Sequence, residues 1–171
     1  MPSITRTVDP MIAELEQESA ATQRMLERVP KDKLAWQPHP RSMTLGQLAS
    51  HVAGLSGGVS AFLEMSAFDV NSTGFTPRQP GSHAEIMQEF KEAQATARKR
   101  LDGLTDERAA EIWRLTNGDA EIFAVPKIQL ARSLMFNHLY HHRGQLSVYL
   151  RLLDVPVPAT YGRSADEDSF G

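Results

Sequence analysis

Four stretches of this chain place apolar residues at three- and four-residue steps, each bounded by residues that start or stop a helix. A stripe of that period is buried only when the stretch is helical and lays its stripe against others. The spacing therefore limits the fold to packed helices. Asp9-Pro10 opens the first stretch, with the aspartate expected as N-cap and the proline at the first helical position. Met11, Leu15, Ala21, Met25, Leu26 and Val29 follow, and Pro30 closes it. Thr44-Leu45-Gly46-Gln47 matches a capping box and precedes the stripe Leu45, Leu48, Val52, Leu55, Val59 and Phe62. Ser82-His83-Ala84-Glu85 matches another, ahead of Ile86, Phe90, Ala93, Ala97 and Leu101, with Gly103 where a C-terminal cap is expected. Pro126 begins a fourth helix expected to run to about Leu153, which Pro156 and Pro158 end.

Residues 31–43 read as a structured loop and 71–81 as turn-rich. Residues 104–126 are ambiguous: Glu111 to Thr116 alternates weakly and Asn117-Gly118 is a turn signal, so a short hairpin and an extended strap both fit. Trp36 and Trp113 are expected as core anchors beside loops. The expectation is an all-α fold: a four-helix bundle with an irregular insertion between helices 3 and 4. One domain would cover residues 1–171, with a polar tail from about 154 to 171.

Composition removes several functions. A net charge of −3 leaves no basic footprint for nucleic acid. No run approaches the roughly 20 apolar residues that span a bilayer, and Met1 to Asp9 lacks the apolar core of a signal peptide. A cytoplasmic protein is the default expectation. The absence of cysteine excludes disulfides, thiolate metal sites and a cysteine nucleophile.

What remains is histidine. Asn137-His138-Leu139-Tyr140-His141-His142-Arg143-Gly144-Gln145 puts three histidines in five residues of the fourth helix. His138 and His142 are four apart, hence on one face with Cβ atoms about 5–6 Å apart. His51 sits one residue off the second stripe, with Leu48 and Leu55 as helical neighbours, and is expected to face inward or toward a helix seam. Three imidazoles from two helices suggest an exchangeable divalent-metal site, while hydrogen-bonded core histidines are the competing reading. His141 is placed less clearly, and His39 and His83 are expected to be exposed. Leu139 stands where a zincin helix needs glutamate, so a metalloprotease mechanism has no support.

Trp36, Pro38 and Met43-Thr-Leu-Gly-Gln-Leu-Ala-Ser-His51-Val52, with His138-Leu-Tyr-His-His142-Arg143-Gly144-Gln145-Leu146, resemble the second- and fourth-helix signatures of the DinB-like (damage-inducible, YfiT-related) superfamily. The tail Val155 to Glu167 is also similar to one subgroup, although members often carry proline where this chain has Arg163. The resemblance spans essentially the whole chain. It implies a four-helix bundle, usually a homodimer, holding zinc, nickel or iron through His51, His138 and His142, with His141 a neighbour. It further implies either a transferase that activates a low-molecular-weight thiol toward a small-molecule electrophile or a hydrolase using metal-bound water. A non-catalytic stress-response protein with a structural metal is the rival. No catalytic base is identifiable from the residues: Glu14, Glu18 and Gln145 are polar residues on bundle helices, and Tyr140 and Tyr149 are candidate acids expected to serve packing.

Overall fold

Thr44 performs the role its position requires. Its Oγ1 accepts from the Gln47 N–H at 3.1 Å while Gln47 Oε1 accepts from the Thr44 N–H at 2.9 Å. That reciprocal box starts helix α2, Leu45–Ser60, which follows α1, Asp9–Glu27. The computed structural model describes residues 5–72 and 76–168. Parts of the expected N-terminal stretch, turn-rich segment and tail (residues 1–4, 73–75 and 169–171) lie outside it. α1 begins at Asp9 itself, one residue earlier than expected, with Val8 rather than Asp9 at the N-cap position, and the Asp9 carboxylate accepts from the Arg6 N–H at 2.9 Å. α3 spans His83–Asp102, and half of its expected box forms: Ser82 accepts from the Glu85 N–H, whereas Glu85 accepts from Gly81. Gly103 ends α3 with φ −81°, so the stop there requires no left-handed residue.

The segment between α3 and the last helix corrects the all-α expectation. Thr105 caps a short helix α4, Asp106–Ala110. Strands β2 (Ile112–Asn117) and β3 (Ala120–Pro126) then form an antiparallel hairpin, turning where Gly118 adopts φ 58°. A strand just before the turn-rich region, β1 (Ala67–Asp69), pairs in parallel with β2, giving the order β1-β2-β3. The fold is thus predominantly helical with a small three-stranded sheet. The alternation in β2 explains the hairpin: Ile112 and Arg114 face out while Trp113 is fully buried. The Trp113 ring lies 5.6 Å from Phe62 and 6.0 Å from Phe123, pinning the sheet to the end of α2. β1 is three residues long, too short to show a period of its own.

The expected single fourth helix is also modified. A short α5 (Lys127–Leu130) runs into a widened π-type turn at Ala131–Asn137 before α6, His138–Leu152. The extra residue in that turn shifts the helical phase. Downstream of it Leu139 and Leu146 are buried, but Val148 and Leu152 are 56% and 58% exposed. Leu139, Arg143, Leu146 and Leu150 form the inward stripe instead. Asp154, at φ 56°, ends α6 in the left-handed region and turns the tail back over α1. Among the described residues no helix is long and apolar enough to cross a membrane.

α2 and α3 approach closely because Gly57 has no side chain; a Cβ there would lie 2.7 Å from Ala93 Cα. On the opposite side, Arg143 is 2% exposed and Glu18 5%. Arg143 Nη2 bonds Glu18 Oε2 at 2.6 Å, and Nη1 donates to Thr22 Oγ1 at 3.0 Å and to the Glu18 carbonyl at 3.2 Å. The Tyr161 hydroxyl, from the tail, donates to Glu18 Oε2 at 2.8 Å. One buried ion pair therefore joins α1, α6 and the tail. Arg143→Leu leaves the Glu18 carboxylate buried without its charge partner and is expected to cost about 3–5 kcal/mol in urea unfolding. The Arg143→Leu, Glu18→Leu double variant is expected to cost clearly less, because no charge is then stranded.

Candidate metal centre

Each histidine of the cluster is placed by a local device. The capping box sets the start of α2 and so the azimuth of His51, one turn past Gln47. The widened turn ends at Asn137, and His138 and His142 occupy the first two turns of α6. His142 Nε2 lies 2.7 Å from His138 Nε2, which lies 3.5 Å from His51 Nε2. One ring nitrogen from each residue falls within 4.8 Å of the other two. Ligands about 2.0–2.1 Å from a tetrahedral ion stand roughly 3.3 Å apart. The His51–His138 separation is close to that spacing, and the His138–His142 pair would need to open slightly. The three residues could hold a metal ion.

The outer faces of two rings are engaged. His142 Nδ1 bonds Gln145 Oε1 at 2.7 Å, which with the amide oxygen accepting puts the proton on Nδ1 and leaves the Nε2 lone pair facing the cluster. The His138 ring bonds the backbone of Leu134, inside the widened turn, where the His138 N–H itself goes to the Met135 carbonyl. All three rings are partly buried, and burial is the largest cause of a lowered pKa at each. His51 is lowered to about 4, with His142 and His138 adding unfavourable charge. The cluster is therefore neutral near pH 7, as ligation requires.

The remaining histidines separate cleanly. His141 is exposed, its ring 4.9 Å from that of His142, and it stays outside the cluster. His39 is exposed as expected. His83 is not: it is half-buried, bonding the Leu26 carbonyl at 3.0 Å and so satisfying the last turn of α1 from the first turn of α3.

Of the acid and base candidates, only Gln145 touches the cluster. The Arg132 guanidinium holds the Glu14 carboxyl below the usual range, and the Tyr140 hydroxyl also donates to Glu14. Glu18 is bound to Arg143. Burial and these carboxylates push Tyr140 far above its ordinary pKa, and Tyr161 to about 12. Tyr149 donates to the Met43 carbonyl and packs edge-on against Trp36. The sequence reading missed Ser50, Arg78 and Glu89. They help line a cavity of about 430 Å³ that also includes His51 and His138 in its wall. Ser50 donates to Glu89 Oε2 at 2.5 Å, and Arg78 reaches the same oxygen at 3.3 Å. Ser50 precedes His51, but only tertiary packing brings α3 and the loop to it.

The lowered histidine pKa values fix a pH dependence for the metal-free protein. Unfolded histidines take up protons near 6.5, while the folded cluster resists protonation down to about 4 at His51. The unfolded state binds more protons across that window, so stability falls as pH drops from 6.5 toward 4. Thermal unfolding of metal-free protein is expected to show this decline, and His51→Asn is expected to flatten it.

Known proteins place the chain. A model of the DinB family matches residues 4–169. The uncharacterized protein YrdA of Bacillus subtilis (strain 168) is 25% identical over 168 residues, covering 95% of this chain and 92% of that protein. A DinB-like protein from Bacillus cereus ATCC 10987 superposes with a TM-score of 0.69 at 22% identity, over 92% of this chain and all of the other. The DinB-like protein YjoA from Bacillus subtilis gives the same TM-score at 19% identity, over 91% of this chain and all of its own. With the family match running almost from end to end, and the fold shared with two DinB-like structures, this chain belongs to the DinB family.

Proposed function

We propose that His51, His138 and His142 hold one divalent transition-metal ion (zinc, nickel or iron) and that the protein uses it to activate a low-molecular-weight thiol for transfer to a small electrophile. The observation that carries this reading is the composition of the cluster: three neutral imidazoles and, among the described residues, no carboxylate. Three protein ligands leave a coordination position for an exogenous molecule. A divalent ion held there supplies Lewis acidity, favouring the deprotonated form of a coordinated thiol or water.

The residues of the chain favour the thiol over the water. Glu14 and Glu18 are tied to Arg132 and Arg143 on the far side of α6, and Glu89 is tied to Ser50 and Arg78. Among the described residues no carboxylate is poised as a base to deliver a hydrolytic water. Thiol transfer needs none, because ligation itself activates the nucleophile. Gln145 and the Leu134 backbone orient two of the imidazoles, and the half-buried position of all three keeps them unprotonated.

Untagged protein analysed for elements is expected to carry about one equivalent of a transition metal, lost in the His138→Ala, His142→Ala double variant. Reloading the metal at about a hundredfold over Kd is expected to raise Tm by roughly 5–10 °C. Metal-loaded protein is then expected to consume a small thiol in the presence of an electrophile. A metal-free wild type that takes up neither zinc, nickel nor ferrous iron would overturn the metal reading. Tight metal binding without thiol consumption would leave a structural ion and overturn the enzyme reading.

A further inference from the structure

Three glycines interrupt the middle of α2, where glycine is disfavoured relative to alanine. Two of them make room for the protein. A Cβ on Gly54 would lie 2.7 Å from Glu89 Oε1, and one on Gly57 would lie 2.7 Å from Ala93 Cα. The third does not: a Cβ on Gly58 would meet nothing within 4 Å. Gly54 and Gly58 both lie in the wall of the cavity of about 430 Å³ that shares His51 and His138 with the cluster, but only at Gly58 is there open space for a side chain.

The stripe running down α2 from His51 reads Leu55, Gly58 and Phe62, at four-, three- and four-residue steps, and all of these line that cavity together with Val59. Its wall is therefore mainly apolar beyond the two imidazoles, with the Ser50–Glu89–Arg78 group supplying polar atoms. Phe62 is held in place, its ring 4.9 Å from Phe68 and 5.6 Å from Trp113. A fixed aromatic wall beside a small-residue gap suits a flat apolar group.

We propose that this cavity seats an aromatic group of the small molecule that approaches the histidine cluster, and that Gly58 sets how large that group can be. The substrate class is accordingly an electrophile with an aryl body. This rests on the reading of the cluster as a metal centre, which supplies the second anchor point.

The test compares imidazole with 4-phenylimidazole on zinc-loaded protein by calorimetry. In the wild type the phenyl ring is expected to tighten binding at least tenfold. In Gly58→Leu imidazole should bind as before and the phenyl gain should disappear, with Gly58→Ala intermediate. Equal affinity of the two ligands in the wild type, or a gain undiminished in Gly58→Leu, would overturn the proposal. If the protein takes up no zinc, 4-phenylimidazole is titrated into metal-free protein and followed by amide chemical shifts. Shifts centred on Leu55, Val59 and Phe62 would then uphold the cavity while the metal centre falls; their absence would sink the cavity as well.

Discussion

The buried pair between Arg143 and Glu18 sets the rotation of α6, and the candidate metal centre depends on that rotation. Consecutive helical residues point about 100° apart. With Arg143 locked toward α1 by Glu18 and Thr22, its neighbour His142 is turned toward α2, and His138 lies one turn back on that face. The rings of Tyr140 and Tyr161 lie 5.4 and 5.2 Å from the Arg143 guanidinium carbon, further restricting it. The charge on one side of the helix thus aims the neutral imidazoles on the other. The tail takes part in the same arrangement through Tyr161 and through Arg24, which donates to the Ala159 carbonyl at 2.5 Å.

Polar groups are divided accordingly. On the α1 side, carboxylates meet guanidinium groups: Glu14 with Arg132, Glu18 with Arg143. On the α2 side, imidazoles meet each other, and burial keeps them uncharged. A carboxylate among them would favour their protonated form. The nearest acidic group to line the adjoining cavity, Glu89, has its charge met by Arg78.

Much of this was legible in the sequence because it is local. The capping box at Thr44 and Gln47, the apolar stripes of the first three helices, the turn at Asn117-Gly118 and the four-residue spacing of His138 and His142 are all properties of neighbouring residues. The resemblance to DinB-like sequences also named the histidines that the structure brings together. The readings that failed involved non-local terms. β1 exists because a partner strand supplies its hydrogen bonds, and the expected fourth helix is interrupted by a widened turn at Ala131–Asn137. His83 is half-buried because the end of α1 passes beside it.

Capping residues and apolar periodicity alone located the three long helices α1 to α3, the residue types available for chemistry were fixed by composition, and no thiolate ligand or nucleophile was among them. Only the tertiary structure decided which polar residues meet. Arg143 sits in a polar stretch of the fourth helix, yet it is buried, because Glu18 and Tyr161 approach from 125 and 18 residues away. Gly58 reads like any other glycine in α2 until packing shows that a side chain at Gly54 or Gly57 would meet α3 whereas one at Gly58 would enter open space at the cavity. Helix periodicity acts between neighbours a few residues apart, whereas burial, pairing and empty space are set by segments that meet only once the chain has folded.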